Sequence, residues 1–435
     1  MTRKDAIPKK IQPAKEKKPA EEKTGEVVPV PARGKQSLLW QTLALPLLAV
    51  LTGLLVGAIV IVVTDAQVLA AYKNFFHDPL NALVMTVQAV ATSYSAWFKG
   101  SFGSPVQIFQ AFQTYFASGD TKPLLGAIWP FTESLAASTP YILAGLAVAV
   151  GFKCGLFNIG AEGQFLMGAL ASAWVGYTFR LPWFIHLPLA LLGGMLGGAI
   201  WAAIPGYLKA VTGAHEVVNT IMMNYIAFRL SDWLLNGPMK ATGYRPVTPV
   251  IQTTATLPRF FAEPLRFNVG FLLALLVALF VYWFLYKTTL GFEIRAVGAN
   301  PNAAKYAGMN VTRNFILVMV LSGGLAGLAG ATQVLGIDHW VGQGFSAGYG
   351  FDSIAIALLG NSHPLGVVLA ALLFGTMRSG ARSMQSLAGI PIDIVSIIQG
   401  LVIVFVAAPA IIRWLYRIRA DKKSGEAIVI RGWGK

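Results

Sequence analysis

Gly155-Leu156-Phe157-Asn158-Ile159-Gly160-Ala161-Glu162-Gly163-Gln164-Phe165 lies between two long apolar runs. How this stretch is read decides the class of fold. A carboxylate and two amides at bilayer depth are costly unless they face protein or a water-filled cavity. Glycines at 155, 160 and 163 let the backbone leave a regular helix. A membrane tolerates that only where the segment is buried or lines a cavity. The stretch therefore predicts a polar path through a bilayer.

Composition extends the argument to the whole chain. Hydrophobic residues make up 55% and charged residues 12% of the sequence, and the mean hydropathy is +0.61. A water-soluble domain carries about twice that charge. The predicted class is an all-α polytopic membrane protein. The net charge of +15 raises nucleic acid as a partner, but its distribution argues against it. Ten Lys/Arg fall within residues 1–37, mixed with five acids and five prolines, and seven more follow Ile412. Basic flanks beside spans are the signature of the positive-inside bias and of attraction to anionic lipid. Residues 1–37 read as a disordered basic cytoplasmic tail, 38–63 as the first span and 417–435 as a second basic cytoplasmic tail. The apolar run Leu38–Val63 is too long for the h-region of a cleavable signal. The single cysteine, Cys154, excludes an internal disulfide and reads as a small packing residue.

Apolar length predicts about ten transmembrane helices, some of them broken, at 38–63, 131–152, 155–179, 186–208, 216–236, 268–287, 314–336, 349–361, 364–380 and 392–416. The eighth and ninth are short, so one of them is a candidate broken or re-entrant segment. An even count places both termini in the cytoplasm together with the loop 288–313 and its Arg295, Lys305 and Arg313. Against this stands the loop 237–267, expected outside, with four basic residues. Residues 64–130 read as an extracytoplasmic or interfacial region, with a candidate amphipathic helix near 80–98. Gly193-Gly194-Met195-Leu196-Gly197-Gly198 and the run Ser322 to Gly330 present small residues at helix-contact spacing. The Gly-interrupted segments at 155–168 and 348–360 occupy corresponding places in the two halves of the region 131–416, the pattern of inverted repeats with a midplane site.

No phosphate-cradling GxxxxGK[ST] occurs, so ATP hydrolysis is not expected in this chain. His77, His186, His215, His339 and His363 show no metal-ligand spacing, and no catalytic constellation stands out. The candidate pathway residues are Asn158, Glu162, Gln164, Asn219, Asn224 and Asp352. Amides and carboxylates suit a neutral polar ligand rather than an ion, with Phe157, Tyr225 or Phe351 available to stack on a ring. Each has a plainer reading as a helix–helix hydrogen-bonding group, and Glu162 in particular as a brace for the broken turn. Glu216 reads as a helix-start residue favoured by the dipole, and Arg229 with Asp232 as an internal ion pair. In the loop 288–313, Asn300-Pro301 predicts a short helix ended by Gly308, which suggests a docking element.

Asn158-Ile159-Gly160-Ala161-Glu162-Gly163-Gln164, Asn219 to Ala227, Arg295-Ala296-Val297-Gly298-Ala299-Asn300-Pro301 with Ala303-Ala304 and Ala307-Gly308, Gly348-Tyr349-Gly350-Phe351 and Ala357-Leu358-Leu359-Gly360 occur in that order. As a set they resemble the permease subunits of bacterial ABC importers in the branched-chain amino acid/simple sugar superfamily, nucleoside (guanosine-type) branch. The resemblance covers about residues 130–416 and leaves 64–130 without a role. It implies a subunit in a bacterial plasma membrane, working with a second permease, with cytoplasmic ATPase subunits that hold ATP and Mg, and with an extracellular substrate-binding lipoprotein. No cofactor is implied in this chain. The resemblance also implies that Glu293, Arg295, Asn300, Pro301 and Ala304 belong to the helix that couples to the ATPase. A ribose- or galactose-type sugar permease is the nearest rival. From another class, an ion-coupled transporter would use Asp352 or Glu162.

Overall fold

The computed structural model describes residues 35–417, so the greater part of the predicted N-terminal tail and nearly all of the C-terminal tail lie outside the described residues. The contacts divide the chain into residues 1–43 and 44–435. Of the first unit, the described part is the opening turns of α1 (Lys35–Thr64). The second unit holds the remaining helices, and among the described residues there is no strand, only two isolated antiparallel bridges.

The region 64–130, expected as interfacial, folds into α2 (Ala66–Lys73), α3 (Pro79–Phe102) and α4 (Pro105–Ser118), followed by the start of α5 (Lys122–Lys153). Their starts are written in the sequence. Asp65 accepts hydrogen bonds from the Gln67 and Val68 amides, Asp78 accepts one from Asn81, and Pro79 and Pro105 occupy first-turn positions where no amide is needed. The 80–98 segment falls inside α3. Ala82, Ser93 and Ala96 are buried, while Leu80, Leu83, Val84 and Val87 face outward, as suits a helix bordered by lipid.

α5 is the axis of the bundle. Its 32 residues reach about 48 Å at 1.5 Å per residue, more than a hydrocarbon core requires. Every residue from Ser138 to Gly151 is buried. After it come α6 (Ala161–Thr178), α7 (Trp183–Thr212), α8 (Glu216–Asn236) and α9 (Gly270–Lys287). Then follow the short α10 (Thr289–Ala299) and α11 (Pro301–Tyr306), and α12 (Val311–Gln333) ending in a π turn over Val334–Asp338. The last are α13 (Tyr349–Leu359), α14 (Pro364–Ala388), α15 (Ile392–Ala407) and α16 (Pro409–Leu415). α3 lies against α14, where Ser101 Oγ donates to the Thr376 carbonyl at 2.7 Å.

Each of the ten expected spans contains a helix, but helix length and apolarity do not return ten. Among the described residues six helices are long and apolar enough to cross a membrane: α1, α5, α7, α9, α12 with its π turn, and α14. A seventh results if α15 and α16, bent by 84°, form one span. α6 is diluted by Glu162 and Gln164, and α8 by Glu216, Asn219, Asn224, Arg229 and Asp232. α13, with 11 residues, reaches only about 16 Å. The result is an all-α polytopic membrane protein, with polar or short helices among the apolar ones.

The small-residue runs do what their spacing predicted. Gly194, Gly197 and Gly198 of α7 meet Gly168 of α6 and Gly323 and Gly327 of α12 backbone to backbone. A Cβ on Gly168 would overlap the Gly327 backbone, and one on Gly198 would overlap the Gly323 carbonyl. In lipid, where the hydrophobic effect does not drive helices together, this close approach supplies the dispersion contact that does. Gly327→Val is expected to separate α12 from α7 and to lower the apparent melting temperature of the detergent-solubilised protein by several degrees. An unchanged melting curve would remove this crossing from the determinants of the fold.

Candidate functional site

Near the middle of the bundle α6 and α13 begin side by side and run apart. The α6 C-terminal end meets the 237–269 loop, where Gly176 accepts a hydrogen bond from the Gln252 amide at 2.8 Å. α13 runs the other way, to His363, whose ring lies 5.7 Å and 5.6 Å from the rings of Tyr282 and Tyr286 at the end of α9. Both helices therefore present N-termini, with unsatisfied amides and a partial positive charge, at one buried place.

Glu162 sits between them. It is 2% exposed. Oε1 accepts from the Gly348 amide at 2.9 Å, and Oε2 from the amides of Gly350 at 2.6 Å and Phe351 at 3.3 Å. Lying also in the first turn of α6, the carboxylate serves two helix starts at once. Gly350 is required by this approach, because a Cβ there would overlap the backbone of Ala161 and Glu162.

The neighbouring amides are equally committed. Asn158 donates through Nδ2 to Gln164 Oε1 and to Ser322 Oγ, both at 2.8 Å. Its Oδ1 accepts from the Gly160 amide at 3.0 Å and from Gln164 Nε2 at 3.1 Å. Ser322 Oγ donates in turn to the Ala147 carbonyl at 2.6 Å. Asn224 of α8 accepts from the Gly163 amide at 2.9 Å and donates to the Ile159 carbonyl at 3.0 Å. Asn158, Glu162, Gln164 and Asn224 thus come together from two sequence stretches, and their groups fasten the 155–163 turn to α5, α8, α12 and α13. This is the bracing geometry rather than one that offers free polar atoms to a solute. Asn219 stands apart, its buried Nδ2 without a protein partner.

Asp352 belongs to a second cluster, on the loop side of α13. Arg378 of α14 donates from Nη1 to Tyr141 Oη at 3.0 Å and to the Ala347 carbonyl at 3.3 Å, and Tyr141 donates to Asp352 Oδ2 at 2.7 Å. The guanidinium also lies 4.1 Å from the centroid of the Tyr349 ring, a favourable place for a partly desolvated cation. Beside this cluster is a narrow cleft lined by Glu133, Arg266, Gln333, Tyr349, Arg378 and Arg382 among others. Arg266 is held by Glu133 at 2.7 Å. Of these groups only Asp352 was singled out from sequence. The available signal was Glu133, Arg378 and Arg382 inside or at the edge of otherwise apolar helices.

The remaining expectations resolve locally. Glu216 starts α8 and pairs with Lys209 at 2.7 Å. Arg229 and Asp232 approach at 3.9 Å, but on an exposed face rather than inside the bundle. Cys154 is 1% exposed, as a packing residue should be. In the loop 288–313, Asn300 caps α11 through the Asn302 and Ala303 amides, with Pro301 at N1. Arg295 donates to the Leu285 carbonyl at 3.0 Å, Glu293 accepts from Asn314 at 3.1 Å, and Ala304 is buried. These three hold α10 and α11 in place, and the exposed side chains of the loop include two large aromatics, Phe292 and Tyr306.

Helices broken in mid-bundle around a saturated polar centre, joined to a folded loop at one end, define the membrane domain of a transporter. The chain belongs to the family described as the branched-chain amino acid transport system / permease component, which matches residues 131–407. It is a transport subunit, not an enzyme. Among relatives it is similar to the guanosine ABC transporter permease protein NupP of Bacillus subtilis, 39% identical over 86% of this chain and 95% of that one. It is also similar to the glucose ABC transporter permease protein TsgB13 of Haloferax volcanii, 38% identical over 68% and 81%. The nucleoside ABC transporter permease protein NupB of Lactococcus lactis is 36% identical over 71% and 87%. No solved structure matches.

Glu162→Gln replaces one acceptor oxygen by a donor facing backbone amides. Hydrogen bonds to a charged group are worth about 1.5–3 kcal/mol each. The substitution is expected to lower the thermal stability of the purified protein and to abolish transport. Wild-type stability in this variant would refute the carboxylate's role at the start of α13.

Proposed function

We propose that this chain is the permease subunit of an ATP-driven nucleoside importer in a bacterial plasma membrane. The observation that carries the reading is the 39% identity to a guanosine permease across 95% of that relative's length. The chain's own features agree with it. A neutral polar solute suits a bundle whose interior polar groups are amides, hydroxyls and paired charges rather than a ring of like charges. The family's permease role also disfavours the ion-coupled alternative, in which Asp352 or Glu162 would bind the driving ion. The glucose permease relative favours a simple sugar as the second reading.

On this reading about ten segments form the pathway half of a pair completed by a second permease, with both termini in the cytoplasm. An extracellular binding lipoprotein delivers the solute, and ATP with Mg is held by separate ATPase subunits. Asn219 and Asp352 remain the pathway candidates from the original six, whereas Asn158, Glu162, Gln164 and Asn224 set the shape of the wall. Transport needs different solute affinity in the two end states, which the meeting point of α6 and α13 would supply by shifting.

Coupling falls to the α10–α11 loop. Asn300, Pro301, Glu293, Arg295 and Ala304 build it, and the exposed Phe292 and Tyr306 would enter the ATPase. Phe292→Glu with Tyr306→Glu is expected to abolish ATPase association in a pull-down while the permease still inserts in the membrane. Retained association would overturn this assignment. Deleting the gene is expected to abolish uptake of radiolabelled nucleosides. Loss of glucose or ribose uptake instead would establish the sugar reading, and no loss of either would sink both.

A further inference from the structure

We propose that the end of α5, the end of α9, the start of α14 and α10 together form a headgroup site for an anionic phospholipid of the inner leaflet. The choice of leaflet rests on the cytoplasmic placement of the α10–α11 loop proposed above. The site itself does not depend on which solute is carried.

The fold brings two cations and a histidine together here. Gly298 of α10 lies against the end of α5 so closely that a Cβ on it would overlap the Lys153 carbonyl. That backbone contact carries Arg295, about one turn earlier on α10, toward Lys153, the last residue of α5. His363 joins them from the start of α14, its ring against those of Tyr282 and Tyr286 of α9. The Arg295 guanidinium lies 5.1 Å from the centroid of the same Tyr286 ring. Lys153 is near enough to both Arg295 and His363 for its charge to bear on them. Burial, and after it the Lys153 charge, hold His363 below its ordinary pKa, the shift expected beside a cation that nothing neutralises.

These cations are unanswered by the protein. Arg295 uses Nε on the Leu285 carbonyl at 3.0 Å. Among the described residues neither its Nη atoms nor Lys153 Nζ has a hydrogen-bond or ion-pair partner. Glu293, the acid on α10, is turned to Asn314 of α12 at 3.1 Å, and it is not among the charges acting on Lys153 or His363. Like charges held together by a backbone contact destabilise the fold unless an anion stands between them.

The surroundings decide which anion. Within about two turns of the cluster, α9 exposes Phe280 and Trp283, and α14 exposes Leu365 and Leu369. Apolar helix faces that end in aromatic and basic groups suit a diacyl phospholipid, with its chains along the helices and its phosphate at the cations. Free phosphate meets the cations but gains nothing from the apolar faces. A zwitterionic headgroup brings a cation of its own toward Lys153. An anionic headgroup such as phosphatidylglycerol matches both features.

The test is the thermal stability of the detergent-solubilised importer, titrated with dioleoylphosphatidylglycerol, dioleoylphosphatidylcholine or inorganic phosphate. Phosphatidylglycerol is expected to reach half-maximal stabilisation at a concentration about fivefold or more below that of phosphatidylcholine. Lys153→Gln should raise that concentration about fivefold, and Lys153→Arg should restore it. Equal stabilisation of the wild type by the two lipids would overturn the site even if Lys153→Gln does not fold. So would an unchanged preference in a folded Lys153→Gln, or stabilisation by inorganic phosphate in place of the lipid. The leaflet is checked separately with an impermeant maleimide on intact cells carrying Tyr306→Cys, where the native Cys154 is buried and silent. No labelling is expected. Labelling would overturn the inner-leaflet assignment and the cytoplasmic reading of the loop, whereas a failure of nucleoside uptake would leave the lipid site standing.

Discussion

One carboxylate between two helix starts organises the interior of this protein. Two helix N-termini repel each other electrostatically and leave several amides unsatisfied, so they cannot share an apolar site unaided. Glu162 supplies the opposite charge from within the first turn of α6 and reaches across to the amides of Gly348, Gly350 and Phe351. The cost of burying a carboxylate is offset by those amides, and the cost of starting α13 in mid-bundle is offset by the carboxylate. Neither feature is stable without the other. Gly350 makes the approach possible by having no side chain.

Around this centre the polar groups fall into two populations with different consequences. Asn158, Gln164, Ser322 and Asn224 satisfy one another and the nearby backbone. Fully connected networks of this kind rigidify a low-dielectric interior, because breaking any member strands the others. The groups on the loop side of α13 are less complete. Arg378 holds Tyr141 and the Ala347 carbonyl through one nitrogen, and Gln333 retains an open acceptor. A transporter needs both: a wall that keeps its shape, and a place where hydrogen bonds are exchanged as a solute passes.

The outer helices complete the picture. Close backbone contacts along α6, α7 and α12 fix the frame, and apolar side chains such as Leu196, Ile200, Leu276 and Leu279 face outward. Their exposure is appropriate to lipid, where an apolar surface carries no penalty. The α10–α11 loop is tied to the frame by Arg295, which donates to the Leu285 carbonyl of α9, and by Glu293, which accepts from Asn314 of α12.

Sequence alone determined the membrane class, a helix near 80–98, the capped start at Asn300-Pro301 and the small-residue crossings, because each depends on local composition or spacing. The same holds for the stretch around Glu162, since a carboxylate in an apolar run has to be answered for wherever it lies. What sequence could not assign was the partner of each polar group. Asn158 and Asn224 look as fit for a solute as for a neighbour until the chain is folded, and nothing local foretells that Arg295 donates to the Leu285 carbonyl. Apolarity alone did not fix the number of spans, because polar side chains dilute α6 and α8, and only packing shows that Glu162, Gln164 and Asn224 are satisfied. The cleft was hidden altogether. Glu133, Arg266, Gln333, Arg378 and Arg382 are spread over some 250 residues of sequence. They share chemistry only because α5, α12 and α14 bring them to one place, and hydrogen bonding acts over distances in space, not along the chain.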